Sequence, residues 1–268
     1  MKYNLRMEDG YLVAFIDIIG FSAMVRENQD VDENTLGLVS NYFVFLENFF
    51  DHYSKEYKEG NGIEVIFVSD SIFVATKKEN FNGLIQEIEY ICNQFFVQGL
   101  SFRGGIACGK LYFEYNILGT AVVNAVELEK IANMPCIIIE KELLASLDSG
   151  TTISKFFKPV YFPINSNAKE SEDFLFYDFF SHEIAMSEIT QYNAIFGCYA
   201  DTIQENYREC TQEKHKKKWI FLAKELLVCL NSHKNIINGL LSSKENIGFK
   251  RAYDFYKNKI QDIADKML

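Results

Sequence analysis

Polar and apolar positions alternate along the chain in two textures, strand-like in the front part and long-helical in the rear. Tyr11–Ile19 (YLVAFIDII) is an unbroken β-branched and aromatic run that ends at Gly20, the pattern of a central strand. Over residues 32–57 the apolar positions Leu36, Val39, Phe43, Leu46, Phe50 and Tyr53 recur three and four apart, which predicts an amphipathic helix. A turn at Gly60-Asn61-Gly62 follows. Ile63–Val68 and Ser71–Ala75 then form two short apolar runs across Ser69-Asp70, a hairpin with a polar tip.

A second helix is expected over Asn80–Gln98 and is closed by Gly99. Ser101–Ala107 predicts a strand, Gly109 a break, and Lys110–Tyr115 a further short strand. Gly119 opens a helical pattern through Val122, Val126 and Ile131, and Cys136–Ile139 is again strand-like. The order β, α, β, β, α, β predicts an α/β (α+β) protein built on a ferredoxin-like split βαβ core. From Ile184 the pattern changes to helices over Ile184–Arg208, Gln212–Asn231 and Phe249–Met267. The expected division is a domain over residues 1–180 and a helical C-terminal extension over 181–268. Trp219, Leu222, Leu226 and Leu230, three and four apart, are expected to be core. Lys214, Lys216, Lys217 and Lys218 with His215 read as a solvated helix start.

With 268 residues, 48% hydrophobic, 24% charged and only 3 Pro, the chain is long and apolar enough to bury a substantial core, which excludes a disordered or low-complexity protein. No apolar run reaches the roughly 18–20 residues of a spanning helix, and the start MKYNLRMEDG has no signal-peptide core, so a cytoplasmic address with no membrane is expected. Cys92, Cys108, Cys136, Cys198, Cys210 and Cys229 are scattered through apolar segments without zinc-ligand spacing, and are expected to be reduced, buried thiols.

Charge changes the picture more. The chain carries a net −10, and residues 1–180 hold 14 Lys and Arg against 26 Asp and Glu, a net of −12. Such a surface argues against nucleic acid, because phosphate neutralisation needs clustered cations. If this part handles phosphates, metal ions must supply the positive charge. Two aspartates fit that need. Asp17 stands inside the most hydrophobic strand, where a carboxylate is costly unless a cation or donors compensate it, and Asp70 sits at the hairpin tip. In a split βαβ core the end of the first strand and the tip of the central hairpin come side by side. Paired carboxylates there would hold Mg²⁺ or Mn²⁺. Ile18-Ile19-Gly20-Phe21-Ser22 turns a strand into a helix through a glycine, presenting N–H groups to an anion such as a nucleotide polyphosphate. Phosphoryl chemistry on a metal-bound nucleotide follows from these parts. A haloacid-dehalogenase-type phosphatase fits less well, because Ile19 stands where that chemistry wants a second Asp.

FIDIIGFS, VSDS, SFRGGIACGKLYF and YNILGTAVVNAVELEKIA, in this order over about residues 11–145, resemble four motifs of the class III nucleotidyl cyclases. The resemblance implies that Asp17, Asp70 and the Ile18 carbonyl bind two divalent ions, and that Ile19, Gly20, Phe21 and Ser22 hold the β- and γ-phosphates. It implies a head-to-tail homodimer with the active site completed by the second chain. Arg103 would be either a surface ion pair or a cation supporting the nucleotide.

Departures from the family pattern carry information too. Aligned on Gly119 without a gap, the family's transition-state Asn falls on Val123 and its Arg on Glu127, and a carboxylate cannot replace an arginine beside a developing phosphorane charge. A shift of one would restore an Asn at Asn124 but put Leu128-Glu129 out of register. The purine-reading lysine becomes Ile66, and its partner on the arm becomes Asn116. Either the domain is an inactive nucleotide-binding module or it is a cyclase with another base preference, and retention of two costly carboxylates favours the second. The string from Gly119 to Ala132, with Glu127 in place of Arg, and the helical tail are similar to the Pycsar pyrimidine cyclases of antiphage defence. That resemblance implies conversion of UTP, or CTP, to cyclic UMP or cyclic CMP, with a separate effector sensing the product. A purine cyclase is the alternative.

Overall fold

The computed structural model describes residues 8–21, 47–49, 51, 62–113, 117–147, 153–166, 169–187, 191–240 and 246–266. Most of the helix expected over 32–57 lies outside them; residues 47–49 and 51 are helical. The chain divides into two compact units, one of residues Met1–Tyr90 and Ser101–Tyr177, the other of Ile91–Leu100 and Asp178–Leu268.

The first unit is built on a sheet whose eight strands, among the described residues, are β1 (Glu8–Ile19), β2 (Ile63–Val68), β3 (Ser71–Lys77), β4 (Ser101–Phe113), β5 (Ile117–Leu118), β6 (Ile137–Glu140), β7 (Phe157–Pro159) and β8 (Phe174–Tyr177). Their order is β2-β3-β1-β4-β6-β8-β7, with β5 paired to β4. β1 lies antiparallel between β3 and β4, and β2 antiparallel to β3. β1 and β2 are therefore parallel with β3 inserted between them. β3 and β4 are parallel across β1 and joined by helix α1 (Phe81–Phe96), so the first four strands have the expected ferredoxin-like split βαβ topology. Pairing on both edges explains the unbroken apolar run of β1: Leu12 to Ile16 are all buried.

Directly opposed residues share a sheet face and successive ones alternate. Ile66, Phe73, Phe15 and Gly105 form one row of one face, with the Phe15 and Phe73 rings 4.8 Å apart. Helix α2 (Thr120–Ile131) packs on this face, made possible by missing side chains on β4. A Cβ on Gly105 would stand 2.3 Å from Leu128 Cβ and 2.6 Å from the Ala125 carbonyl oxygen. One on Gly109 would lie 2.7 Å from the Ala121 nitrogen. The opposite face carries Phe67, Ile72 and Ile16, and Phe49 packs there against Phe67 and, from α1, Tyr90.

These contacts correct the expected break at Gly109. β4 runs unbroken from Ser101 to Phe113, because that glycine serves close approach of α2 rather than a turn. The strand expected over Cys136–Ile139 is Ile137–Glu140 and leads into helix α3 (Lys141–Leu147).

The second unit contains α4 (Phe179–Met186), α5 (Tyr192–Glu209), α6 (Glu213–Leu240) and α7 (Asn246–Ala264), with the last part of α1. The single helix expected over 184–208 is interrupted at Ser187, whose N–H and hydroxyl both close on the Glu183 carbonyl. Phe96, fully buried, is ringed by Phe179, Phe180, Tyr199 and Trp219 at centroid distances of 5.2–6.3 Å. The Tyr199 hydroxyl donates to Asn93 Oδ1 at 2.8 Å. Trp219, Leu222, Leu226 and Leu230 are buried core, as their spacing predicts. Lys214 and Lys217 are exposed, Lys216 and Lys218 half-buried, and Lys216 pairs with Glu213 at 3.2 Å. All six cysteines are free thiols, but only Cys92, Cys136 and Cys229 are buried; Cys108 and Cys210 are half-buried and Cys198 is exposed, against the expectation of uniform burial. Cys198 lies on α5, an amphipathic helix whose covered face is carried by Phe196, Tyr199, Ala200 and Ile203. No helix among the described residues is long and apolar enough to cross a membrane.

Gly105→Ala is expected to lower the urea midpoint by an amount equivalent to about 1–3 kcal/mol, because the new methyl meets backbone and a buried Cβ that cannot swing away. Phe96→Ala is expected to cost about 3–5 kcal/mol by the same measurement, since it empties the centre of an aromatic cluster.

Candidate functional site

The next row of the sheet, beyond Phe15, is Val68, Ser71, Asp17 and Arg103. Register thus places Arg103 directly across from Asp17, on the face that α2 covers. Arg103 Nη2 lies 3.5 Å from Asp17 Oδ2, with the side chains 36% and 22% exposed. On its other side the Arg103 Nε makes a close ion pair with Glu129 near the C-terminus of α2, whose carboxylate is 6% exposed. One guanidinium therefore bridges two carboxylates, one buried on the helix and one at the open end of β1. Burial pushes the Glu129 carboxyl above its ordinary range, Arg103 pulls it back, and the nearby Asp17 charge raises it further.

The β2–β3 hairpin brings the second aspartate to the same end of the sheet. The Ile18 N–H donates to the Asp70 carbonyl at 3.1 Å, so the hairpin tip is tied to β1 one residue beyond Asp17. Ser69, at the tip, holds φ +59°, a left-handed conformation that costs a residue with a side chain and that glycine adopts freely. Past Ile19, Gly20 holds φ +90° and is exposed, which turns the chain out of β1 into the helical Phe21. Ser22 lies outside the described residues, as does Asn116.

Asp17 and the hairpin tip that carries Asp70 thus stand at one end of the sheet, and both aspartates are partly solvent-accessible. Among the described residues there is no cluster of three or more His, Cys, Asp or Glu placed to hold a metal. The two aspartates offer carboxylate oxygens, the donor type that hard divalent cations such as Mg²⁺ and Mn²⁺ prefer.

The structure brings Asp17, Ile18, Ile19, Gly20, Phe21, Asp70 and Arg103 to one end of β1. It sets Ile66 one row away on the same face as Asp17. Val123 and Glu127 do not join them. Both are exposed, one turn apart on α2, and Glu127 lines a cleft of about 570 Å³ with Asn124, Glu140, Glu142, Leu143 and Lys169, a set that contains neither aspartate. The residue that the sequence left without a role is Glu129. Its signal was a carboxylate beside the buried stripe Ala121, Ala125, Leu128 and Ala132.

No family model matches the chain, and no curated protein matches it. Two solved structures of a bacterial light-regulated adenylyl cyclase are similar to it at 18% identity. One has a TM-score of 0.37 and covers 55% of this chain and 82% of that one. The other has a TM-score of 0.39 and covers 55% of this chain and 48% of that one, so this chain spans about half its length. At these identities and TM-scores neither likeness bears on what this chain does.

Proposed function

We propose that the chain is a metal-dependent nucleotidyl cyclase that converts UTP, or CTP, to the 3′,5′-cyclic nucleotide and pyrophosphate. The observation that carries this reading is the backbone tie of the hairpin tip at Asp70 to β1 one residue beyond Asp17, beside the Gly20 turn. In the proposed reaction the ribose 3′-oxygen bonds to the α-phosphorus, the bond from that phosphorus to the bridging oxygen breaks, and the hydroxyl proton passes to solvent. Bound Mg²⁺ or Mn²⁺, two per site, would neutralise charge on the triphosphate and polarise the reacting oxygens. Asp17, Asp70 and the Ile18 carbonyl would hold the ions. The N–H groups of Ile19, Gly20 and Phe21 would orient the β- and γ-phosphates.

The base preference rests on what the pocket positions lack. Ile66 offers a purine no hydrogen bond from the sheet face that carries Asp17. Glu127 brings negative charge where the resembled family has arginine. The placement of Val123 and Glu127 away from Asp17 favours a homodimer in which each site combines residues of two chains. The role that goes with this reading is second-messenger synthesis in antiphage defence, sensed by a separate effector.

Full-length protein incubated with Mn²⁺ and each of the four ribonucleoside triphosphates in turn, with products identified by mass, is expected to yield cyclic UMP or cyclic CMP. Cyclic AMP or cyclic GMP as the main product would overturn the base preference. Metal-dependent nucleotide binding without pyrophosphate release would make the chain a binding module. Asp17→Ala and Asp70→Ala should each lower turnover at least about a hundredfold, the scale of losing several kcal/mol of metal-supplied stabilisation, with the circular dichroism spectrum unchanged. Glu127→Arg should leave purine turnover at background in the same assay, because Ile66 still shapes the base pocket.

A further inference from the structure

We infer that Arg103, held in place by Glu129, is the resident counter-ion of Asp17, and that a divalent cation enters the site by displacing it. This inference rests on the reading of Asp17 as a metal ligand. Three observations carry it. Register sets Asp17 and Arg103 directly opposite on one face, so their meeting follows from the sheet rather than from a chance side-chain rotamer. The two Arg103 contacts are unequal: Nε is closely paired with the Glu129 carboxylate, 6% exposed, whereas Nη2 stands at the longer 3.5 Å from the more open Asp17. Glu129 sits on a helix seated against the Gly105 gap, so its anchoring of Arg103 is built into the packing of α2.

The charge arithmetic gives each residue a sign. Asp17, Arg103 and Glu129 together carry −1, and the guanidinium is divided between two anions. A divalent ion on Asp17 would face that guanidinium at close range, and Arg103 must then withdraw toward Glu129, which is already its closer partner. Arg103 thus holds metal affinity down and keeps the half-buried Asp17 compensated in the ion-free enzyme. Glu129 acts oppositely, as a positioning residue that draws Arg103 away from Asp17. A purely structural ion pair would have no such antagonism. Asp70 is not one of the carboxylates that Arg103 bridges, so the two metal carboxylates are unequal.

The test is Mn²⁺ binding to the full-length protein without nucleotide, followed by the loss of the free-ion electron paramagnetic resonance signal. Arg103→Gln should bind Mn²⁺ about tenfold more tightly, the scale set by removing one facing unit charge at a partly exposed site. Glu129→Gln should bind it about threefold more weakly, because the guanidinium is then left to Asp17. Arg103→Gln leaves Glu129 buried without its cation, so the double variant Arg103→Gln/Glu129→Gln is the folded control, and it should also bind more tightly. Asp17→Asn should lower binding and erase the effect of Arg103→Gln. Unchanged or weaker binding in both Arg103 variants, with Asp17→Asn still lowering it, overturns the counter-ion role and leaves the metal assignment standing. Binding that Asp17→Asn does not alter overturns the metal assignment, and the inference with it.

Discussion

The antiparallel pairing of β1 on both edges is the constraint on which the rest of the molecule depends. It removes the strand from solvent and permits an unbroken apolar run. The same pairing fixes by register which residues meet at its open end: Ser71 on one side of Asp17, Arg103 on the other, and Asp70 tied to Ile18 just beyond. A slip of one residue would turn Asp17 to the face that carries Ile16 and Ile72. The apolar pairs Phe15 with Phe73 and Ile16 with Ile72, of which Phe15, Ile16 and Ile72 are buried, oppose that slip because they would exchange faces as well.

A carboxylate in such a strand is destabilising unless compensated, and the compensation comes from neighbours on both sequence and space. Asp17 is the first β1 position after the buried stretch to regain solvent, and it faces a guanidinium. That guanidinium is in turn fixed by a buried carboxylate from α2. Three ionisable groups on three elements therefore depend on one helix-on-sheet contact, and that contact depends on the absence of side chains at Gly105 and Gly109. Packing and electrostatics are here one design: filling the glycine gap would move Glu129, and through it Arg103.

Much of this was legible in the sequence, and what was not has a physical reason. The apolar run of β1, the hairpin across Ser69-Asp70 and the alternation of elements gave the split βαβ core, because local pattern and topology agree there. Asp17 and Asp70 stood out because each breaks a local rule, one as a charge in a strand and one as the polar tip of an apolar hairpin. Gly109 misled, since a glycine that ends a strand and a glycine that admits a helix look alike in one dimension. The partner of Arg103 was not readable either. Which carboxylate an arginine finds depends on how a helix lies across a sheet, and the spacing of Ala121, Ala125 and Leu128 identifies the buried face without saying what faces it. The same holds for the end of α1: its amphipathic pattern marks Phe96 as buried, but nothing local shows that Phe179, Phe180, Tyr199 and Trp219 bury it.

The net charge of −12 over residues 1–180 takes on a more specific meaning in this light. An acidic domain that handled triphosphates through its own side chains would need cations collected at the site, yet the cation that the fold delivers to Asp17, Arg103, is already divided between two carboxylates. Its charge offsets the two carboxylates that it faces. On the proposed reading a triphosphate arriving there would add negative charge to an already negative cluster, which ions brought with the nucleotide would offset. Under the proposed function the acidic surface and the shared arginine would act in one direction, making occupancy by nucleotide conditional on divalent metal.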